Sequence, residues 1–492
     1  MWLATVLWYA AIYLIYKWLC RRYLPVNDRV PTLPKNLPIF GHMLNFLKTE
    51  ELYNIFLRFG KITNELGGVS KLFFGPYPFY FVSHPGDIAL VQQKCLQRHY
   101  FYKFVEPVLG KMLLTAELPV WKRNRRIVDQ TFKQKVLDGY LDIFNKEAKR
   151  LTLAFTEFVG RGKVDVTHEV TKSVLETTCK TILGTAADDE DLVNDKYKAA
   201  VDGMMMSLFS RFLKPWCWFE PIFNLTSDKK KLEKNMTIFF SLSEKMIKLR
   251  KDEKLQRLKD QQNVNDNHKS QSFLDILLEN IEMDTGSMYK DRELRNLVDN
   301  VLLAAFDTII NALMIILVCL GSRPDVQEKI YVEISAVLGD DKNVSKDEQS
   351  KLVYLEATIK EVLRLYPIGP FVGRLAATDT ELRNVTLPAG SIILVHLWAA
   401  NRHPEFWGED ADEFKPERWL SNNLTDHPTA FASFAPGRRG CPGKTYTLMY
   451  LKATLVHLIR RFKITADIGK MKVDYQVMIK PKSGHEITLE YR

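Results

Sequence analysis

The segment Phe434-Ala435-Pro436-Gly437-Arg438-Arg439-Gly440-Cys441-Pro442-Gly443 decides how the rest of the chain is read. Its glycines allow a tight loop closed to other residues. The apolar run LMYLKATLVHLI from Leu448 then places Leu448, Leu451, Leu455, Leu458 and Ile459 on one helical face. Pro442 suits the first turn of that helix, so Cys441 is expected at a helix N-terminus at the end of the loop. Backbone N–H groups and the helix dipole favour an anionic sulfur there, and a thiolate is what a metal needs. The spacing Gly437-x-x-Gly440-x-x-Gly443 also fits a phosphate loop, but the Lys-Ser/Thr ending and the preceding strand of such folds are missing.

Upstream of this loop, Val301 to Leu320 reads VLLAAFDTIINALMIILVCL and is stopped by Gly321 and Pro324. Its length would span a bilayer. Asp307, Thr308 and Asn311 lie inside it, however, and an ionisable group at mid-bilayer is costly, so a long helix through a protein core is the expectation. Glu361-Val362-Leu363-Arg364 is by itself an ordinary i,i+3 pair of a helix surface.

Together these segments resemble the cytochrome P-450 family. Phe434-x-x-Gly437-x-Arg439-x-Cys441-x-Gly443 is similar to its haem-binding signature, Glu361-x-x-Arg364 to its Glu-x-x-Arg helix, and Pro416-Glu417-Arg418-Trp419 to its Pro-Glu-Arg segment, in the expected order. The resemblance implies that Cys441 is the axial thiolate of haem iron. It also implies that Phe434, Gly437 and Gly443 shape its loop, and that Glu361, Arg364 and Arg418 form a charge network locking the core, a task suited to arginine's planar fork. Trp121 and Arg125, four apart on one helix face, and Arg374 and Arg439 match positions that hold the haem propionates.

Ala304-Ala305-Phe306-Asp307-Thr308-Ile309 aligns with the family's Ala-Gly-x-Asp/Glu-Thr-Thr segment. The implied roles are a proton relay for Asp307 and a water-holding hydroxyl for Thr308. The plainer fate of a helical threonine is a bond to a carbonyl of its own helix. Ala305 and Ile309 depart from the pattern, which makes a distortion of the helix less expected here. The chain is most similar to insect microsomal members near the fatty-acid-hydroxylating family four. Many of those carry a haem-esterifying Glu three residues before the Asp; this chain has Ala304, so haem b (iron protoporphyrin IX) is expected to be held non-covalently.

The fold class implied is mainly α with smaller β regions, and strand-like stretches fall near 69–83, 372–396 and 472–491. A charged helical stretch from Glu244 to Lys259 is followed by a polar segment, Gln261 to Gln271, expected to be a surface loop. Across 492 residues, 46% hydrophobic and 26% charged content excludes a disordered or low-complexity polymer. Lys and Arg exceed Asp and Glu by 69 to 59 without a dense basic block, so nucleic-acid binding is not expected. Cys20, Cys95, Cys179, Cys217, Cys319 and Cys441 include no CxxC pair, which argues against a disulfide scaffold or structural zinc.

Met1 to Tyr16 contains no charge, and Lys17, Arg21 and Arg22 follow. Basic residues behind the apolar run, with no small-residue cleavage site, point to an uncleaved anchor over 1–22 rather than a signal peptide. The positive-inside rule then leaves the body in the cytosol, at the endoplasmic reticulum membrane. On that topology the Asn-x-Ser/Thr matches at Asn224, Asn235, Asn343, Asn384 and Asn423 are chance matches. Pro25, Pro31, Pro34 and Pro38 make 23–41 a stiff linker to a catalytic domain over 42–492. Phe209 to Phe223, FSRFLKPWCWFEPIF, fits either core packing or a second contact with the membrane surface.

No flavin or nicotinamide domain is visible, so the resemblance implies electrons from NADPH-cytochrome P-450 reductase and from cytochrome b5. Lys122, Arg123, Arg126, Arg438 and Lys444 are candidates for the docking face. The expected reaction is monooxygenation of a small lipophilic substrate: a fatty acid, steroid, terpenoid or xenobiotic. Phe306 and the Met204 to Phe209 region fit a pocket lining and core packing equally. Two other classes stay open: a haem-thiolate isomerase or dehydratase, which needs no proton relay, and a non-catalytic haem or lipid binder, left open by Ala305 and Ile309.

Overall fold

Val69–Phe74 and Tyr77–Val82 are rich in aromatic and β-branched residues and flank Gly75-Pro76, and they fold as an antiparallel hairpin in which Val69 opposes Val82. Tyr77–Val82 pairs in parallel with Ile392–His396, and Phe371–Leu375 closes the sheet antiparallel to that strand. The computed structural model describes residues 2, 13–16, 24–46, 49–184, 195–259, 271–283, 291–339, 341–421 and 427–492, and these group into two compact units. The sheet belongs to the first unit (1–99, 364–414 and 423–441). Its core joins Val69, Tyr80 and Val82 to Ile88 and Val91 of the helix Pro85–Lys94 and to Ile393 and Val395.

The second unit (100–363, 415–422 and 442–492) is mostly helical. Its longest apolar helix, Asp291–Gly321, runs without a break through the expected core segment. Length and composition would let it cross a membrane, but 83% of its most apolar window is buried in the protein, so it is a core helix. The helices Thr167–Thr178, Ser227–Lys259 and Lys444–Arg461 pack against it. Two small antiparallel pairs complete the unit: Phe462–Thr465 with Thr488–Tyr491, and Lys472–Tyr475 with Ile479–Ser483.

The stretches expected to be strand-like all contain strands. Phe462–Thr465 was not expected, because a four-residue strand directly behind Arg461 offers too little alternation to separate from the helix. Pro442 is not in the first helical turn. The helix begins at Lys444, and the bond from Thr447 N–H to the Gly443 carbonyl (2.9 Å) makes Gly443 the N-cap, leaving Pro442 one residue outside. Most of the anchor over 1–22, the polar loop at 261–270 and Asn423 lie outside the described residues.

Candidate functional site

In the first unit, the loop around Cys441 is shaped by two glycines. Gly437 has φ +116°, and a Cβ there would lie 2.8 Å from the Cβ of Gln92. A Cβ on Gly440 would lie 2.9 Å from the carbonyl oxygens of Ala435 and Gly437. Side chains are therefore excluded at both positions. The loop closes through Gly440 N–H to the Gly437 carbonyl (2.8 Å) and Cys441 N–H to the Phe434 carbonyl (2.9 Å). Among the described cysteines, Cys441 alone is exposed, whereas Cys95, Cys179, Cys217 and Cys319 are buried. Burial pushes the Cys179 and Cys319 thiols up to about 12, which suits inert core residues.

Arg374 and Arg439 belong to the same unit and are buried, at 0% and 5% exposure. Arg374 lies on the strand Phe371–Leu375 and donates to the Gly373 carbonyl (3.0 Å) and to Gln92 Oε1 (2.6 Å), both neutral acceptors. Buried guanidinium charge calls for an anion. One accessible cysteine sulfur and two buried arginines in one unit are the donor set that a metal-centred group bearing carboxylates requires, and in this respect the residues fit haem.

Arg364 is fully buried. Its Nη1 donates to the carbonyls of Asn401 (2.9 Å) and Ala411 (2.5 Å), its Nη2 to that of Glu413 (3.0 Å), and its guanidinium lies 4.9 Å from the Trp407 ring centroid. Asn401 returns a bond from Nδ2 to the Arg364 carbonyl (2.9 Å). It also donates to Ser433 Oγ (2.7 Å) and accepts from Ala432 N–H (2.7 Å). Asn401 thus ties Arg364 to the residues that enter the cysteine loop. Sequence reasoning missed it.

In the second unit, Glu361 is fully buried on the helix Val353–Leu365. Its Oε1 accepts from Arg418 Nε (2.9 Å) and Lys415 N–H (2.9 Å), and its Oε2 from Trp419 Nε1 (2.9 Å). These donors replace the water that burial takes from the carboxylate. The expected pairing of Glu361 with Arg418 is present.

The core helix carries Ala304, Ala305 and Thr308 on a face that is exposed or half-exposed, while Leu303, Phe306, Asp307 and Ile309 are buried. Thr308 Oγ1 donates to the Ala304 carbonyl (2.8 Å), the bond common to helical threonines, which leaves its oxygen lone pairs as acceptors. Asp307 Oδ1 lies 3.4 Å from Lys198 Nζ, and Lys198 also bonds to Asp202 Oδ1 (2.6 Å). Burial raises the Asp307 pKa against the opposing pull of Lys198. Burial alone would lower the Lys198 pKa, but Asp307 and Asp202 together raise it. A carboxyl held in an apolar helix, with an ammonium that reaches a half-exposed carboxylate, is a short polar path into the core. In sequence, Lys198 and Asp202 have the spacing of an ordinary i,i+4 helix pair.

Trp121 is buried on the helix Leu118–Thr131, and Arg125 pairs with Asp129 (2.6 Å) on that helix. Phe306, Met204, Leu208 and Phe209 are buried, and Phe306 packs 6.0 Å from the Tyr197 ring. After the helix Asp195–Leu213 comes a turn, Pro215–Trp218, and a short helix, Glu220–Asn224. Cys217 and Phe223 point inward there, while Trp216, Phe219, Ile222 and Leu225 are exposed. Arg211 holds the turn from inside: it lies between the Phe104 and Phe223 rings (4.3 and 4.1 Å), donates to the Cys217 carbonyl and pairs with Glu220.

His84, His403 and Glu405 form the one group of metal-ligand type among the described residues. Gly86 N–H donates to His84 Nδ1 (3.0 Å), so the neutral ring carries its proton on Nε2 and gives it to Glu405 Oε2 (3.0 Å). His84 therefore serves as the N-cap of Pro85–Lys94, with no lone pair free for an ion.

A family model described as Cytochrome P450 matches residues 31–488. The chain is 28% identical over 476 residues to Cytochrome P450 4V2 of Pongo abelii, covering 94% of this chain and 90% of that protein. To Cytochrome P450 4c3 of Drosophila melanogaster it is 26% identical over 483 residues, covering 94% and 90%. To the Probable cytochrome P450 4s3 of the same organism it is 27% identical over 493 residues, covering 99% and 96%.

Proposed function

Since this chain belongs to the cytochrome P450 family and is a haem-thiolate monooxygenase, we propose that it inserts one oxygen atom of O2 into a small lipophilic substrate: a fatty acid, steroid, terpenoid or foreign hydrophobe. The observation that carries this reading is the buried Asp307 with Lys198 beside it, on a helix whose Ala304, Ala305 and Thr308 face is open. Peroxide isomerisation or dehydration has no need of such a proton path.

Cys441 would hold the haem iron through its thiolate, in a loop shaped by Phe434, Gly437 and Gly443. Trp121, Arg125, Arg374 and Arg439 would hold the haem carboxylates, while Glu361, Arg364 and Arg418 would fix the frame. Haem bound there supplies the electron transfer and oxygen chemistry. Asp307 relays protons inward from solvent while Lys198 holds its carboxylate in position, and Thr308 accepts a hydrogen bond from the water that receives them. The haem is haem b, held non-covalently, because Ala304 offers no carboxyl for an ester. Acid-acetone extraction should leave a colourless polypeptide.

Residues 1–22 anchor the protein, 23–41 connect it, and 42–492 form the catalytic domain on the cytosolic side of the endoplasmic reticulum. The exposed Trp216, Phe219, Ile222 and Leu225 give that domain a second contact with lipid. Electrons come from NADPH through NADPH-cytochrome P-450 reductase, with cytochrome b5 as a second donor. Lys122, Arg126, Arg438 and Lys444 are exposed as a docking role requires, with Arg123 half-buried. Reversing these charges should slow reductase-driven turnover and spare peroxide-driven turnover; an equal loss of both would remove the docking role.

A non-catalytic haem or lipid binder is the second reading, favoured by the unbroken helix at Ala305. The deciding experiment combines the membrane-bound protein with reductase, NADPH and a panel of fatty acids, steroids and terpenoids. Substrate-dependent NADPH consumption with an oxygenated product supports the oxygenase. Haem-replete protein that consumes no NADPH with any member supports the binder.

A further inference from the structure

Gln92 lies near the end of the helix Pro85–Lys94 and is 1% exposed. Its side chain accepts a hydrogen bond from Arg374 Nη2 at 2.6 Å. An arginine only donates, so the atom facing it must be the amide oxygen, and the orientation of the amide is fixed by chemistry. The amide nitrogen lies beside that oxygen on the same planar group. It is buried and has no hydrogen-bond partner. The same residue packs against the cysteine loop, where its Cβ occupies the space that a side chain on Gly437 would need.

A buried N–H without an acceptor costs about 1–3 kcal/mol, and an apolar side chain of similar shape would avoid that cost. Glutamine keeps a donor at this point, beside a buried arginine whose two hydrogen bonds described above go to neutral oxygens. A glutamate would orient Arg374 equally well, but its charge would cancel the one that an anionic ligand needs. A neutral amide orients the guanidinium and leaves its charge to the ligand.

We infer that Gln92 is a further haem-binding residue, whose Oε1 aims Arg374 and whose Nε2 donates to the carboxylate that Arg374 holds. This rests on the reading of Arg374 as a haem-carboxylate residue.

The test uses the purified full-length holoenzyme with Gln92→Glu, Gln92→Leu and Arg374→Gln. Two quantities are read: the rate of haem transfer to excess apomyoglobin, and the reduction potential of the haem iron. Gln92→Glu is expected to speed haem loss about tenfold and to lower the potential, because a carboxylate beside Arg374 disfavours both the propionate and the reduced iron. Gln92→Leu, which keeps the bulk and removes the donor, is expected to speed haem loss severalfold. A role confined to packing under Gly437 would leave the potential of Gln92→Glu at the wild-type value. Wild-type haem loss in Gln92→Leu, or unchanged haem loss and potential in Gln92→Glu, overturns the inference provided that Arg374→Gln accelerates haem loss. If Arg374→Gln also behaves as wild type, the assignment of Arg374 falls, and this inference with it.

Discussion

Lys198 Nζ lies 3.4 Å from Asp307 Oδ1, and the pair joins the helix Asp195–Leu213 to the apolar core helix Asp291–Gly321. Lys198 restrains the rise in the Asp307 pKa that burial causes. Lys198→Met should therefore raise that pKa further and move the acidic limb of reductase-driven turnover to higher pH. Asp307→Asn, which cannot relay a proton, should lower turnover tenfold or more. A pH–rate profile of Lys198→Met that overlays the wild type would show that the pair takes no part in proton delivery.

Glu361 receives three hydrogen bonds from Arg418, Lys415 and Trp419 while fully buried. Glu361→Ala strands a buried guanidinium and two further donors, at a cost of about 3–5 kcal/mol. Little haem-containing protein should accumulate, with a low melting temperature in what does. A haem-replete Glu361→Ala protein melting with the wild type would contradict the structural role.

Asp299 is fully buried on the core helix, and burial pushes its carboxyl up to about 8, with Arg295 Nε at 3.6 Å opposing. An unfolded aspartate ionises near 3.8. Between those two values the folded chain holds a proton that the unfolded chain has released, so stability falls as pH rises through that window and levels off above it. Asp299→Asn should remove this slope and gain stability at pH 8 relative to pH 5, by at most about 4 kcal/mol. Melting curves at both pH values check this, and parallel losses in mutant and wild type would refute it.

Gly437→Ala forces a side chain into a φ of +116° and against Gln92. The strain should cost about 1–3 kcal/mol and appear as faster haem loss. Haem loss at the wild-type rate would mean that the loop can adapt.

What could be read from sequence and what could not divide along one physical line. The cysteine loop and the core helix announce themselves locally, through glycine spacing and apolar length, and the Glu361 and Arg418 segments through their resemblance to the family's motifs. Lys198, Asn401 and Gln92 do not, because each acts on a residue that only the tertiary fold brings near: Gln92 and Arg374 are 282 positions apart, and Asn401 and Arg364 are 37 apart. Locally, Lys198 and Asp202 are indistinguishable from a solvated helix pair, and Gln92 is one more residue of a short helix. The strand Phe462–Thr465 escaped notice for a related reason, since its register is set by Thr488–Tyr491 and its own four residues carry little pattern.

Everything proposed for this chain depends on Cys441 binding haem iron as a thiolate. The most direct measurement is the reduced, carbon-monoxide difference spectrum of the membrane-expressed protein beside that of Cys441→Ser. A red-shifted Soret band in the wild type that is lost in Cys441→Ser is the predicted result. Folded, haem-supplemented wild-type protein without that band, or a Cys441→Ser protein that retains it, would contradict the account.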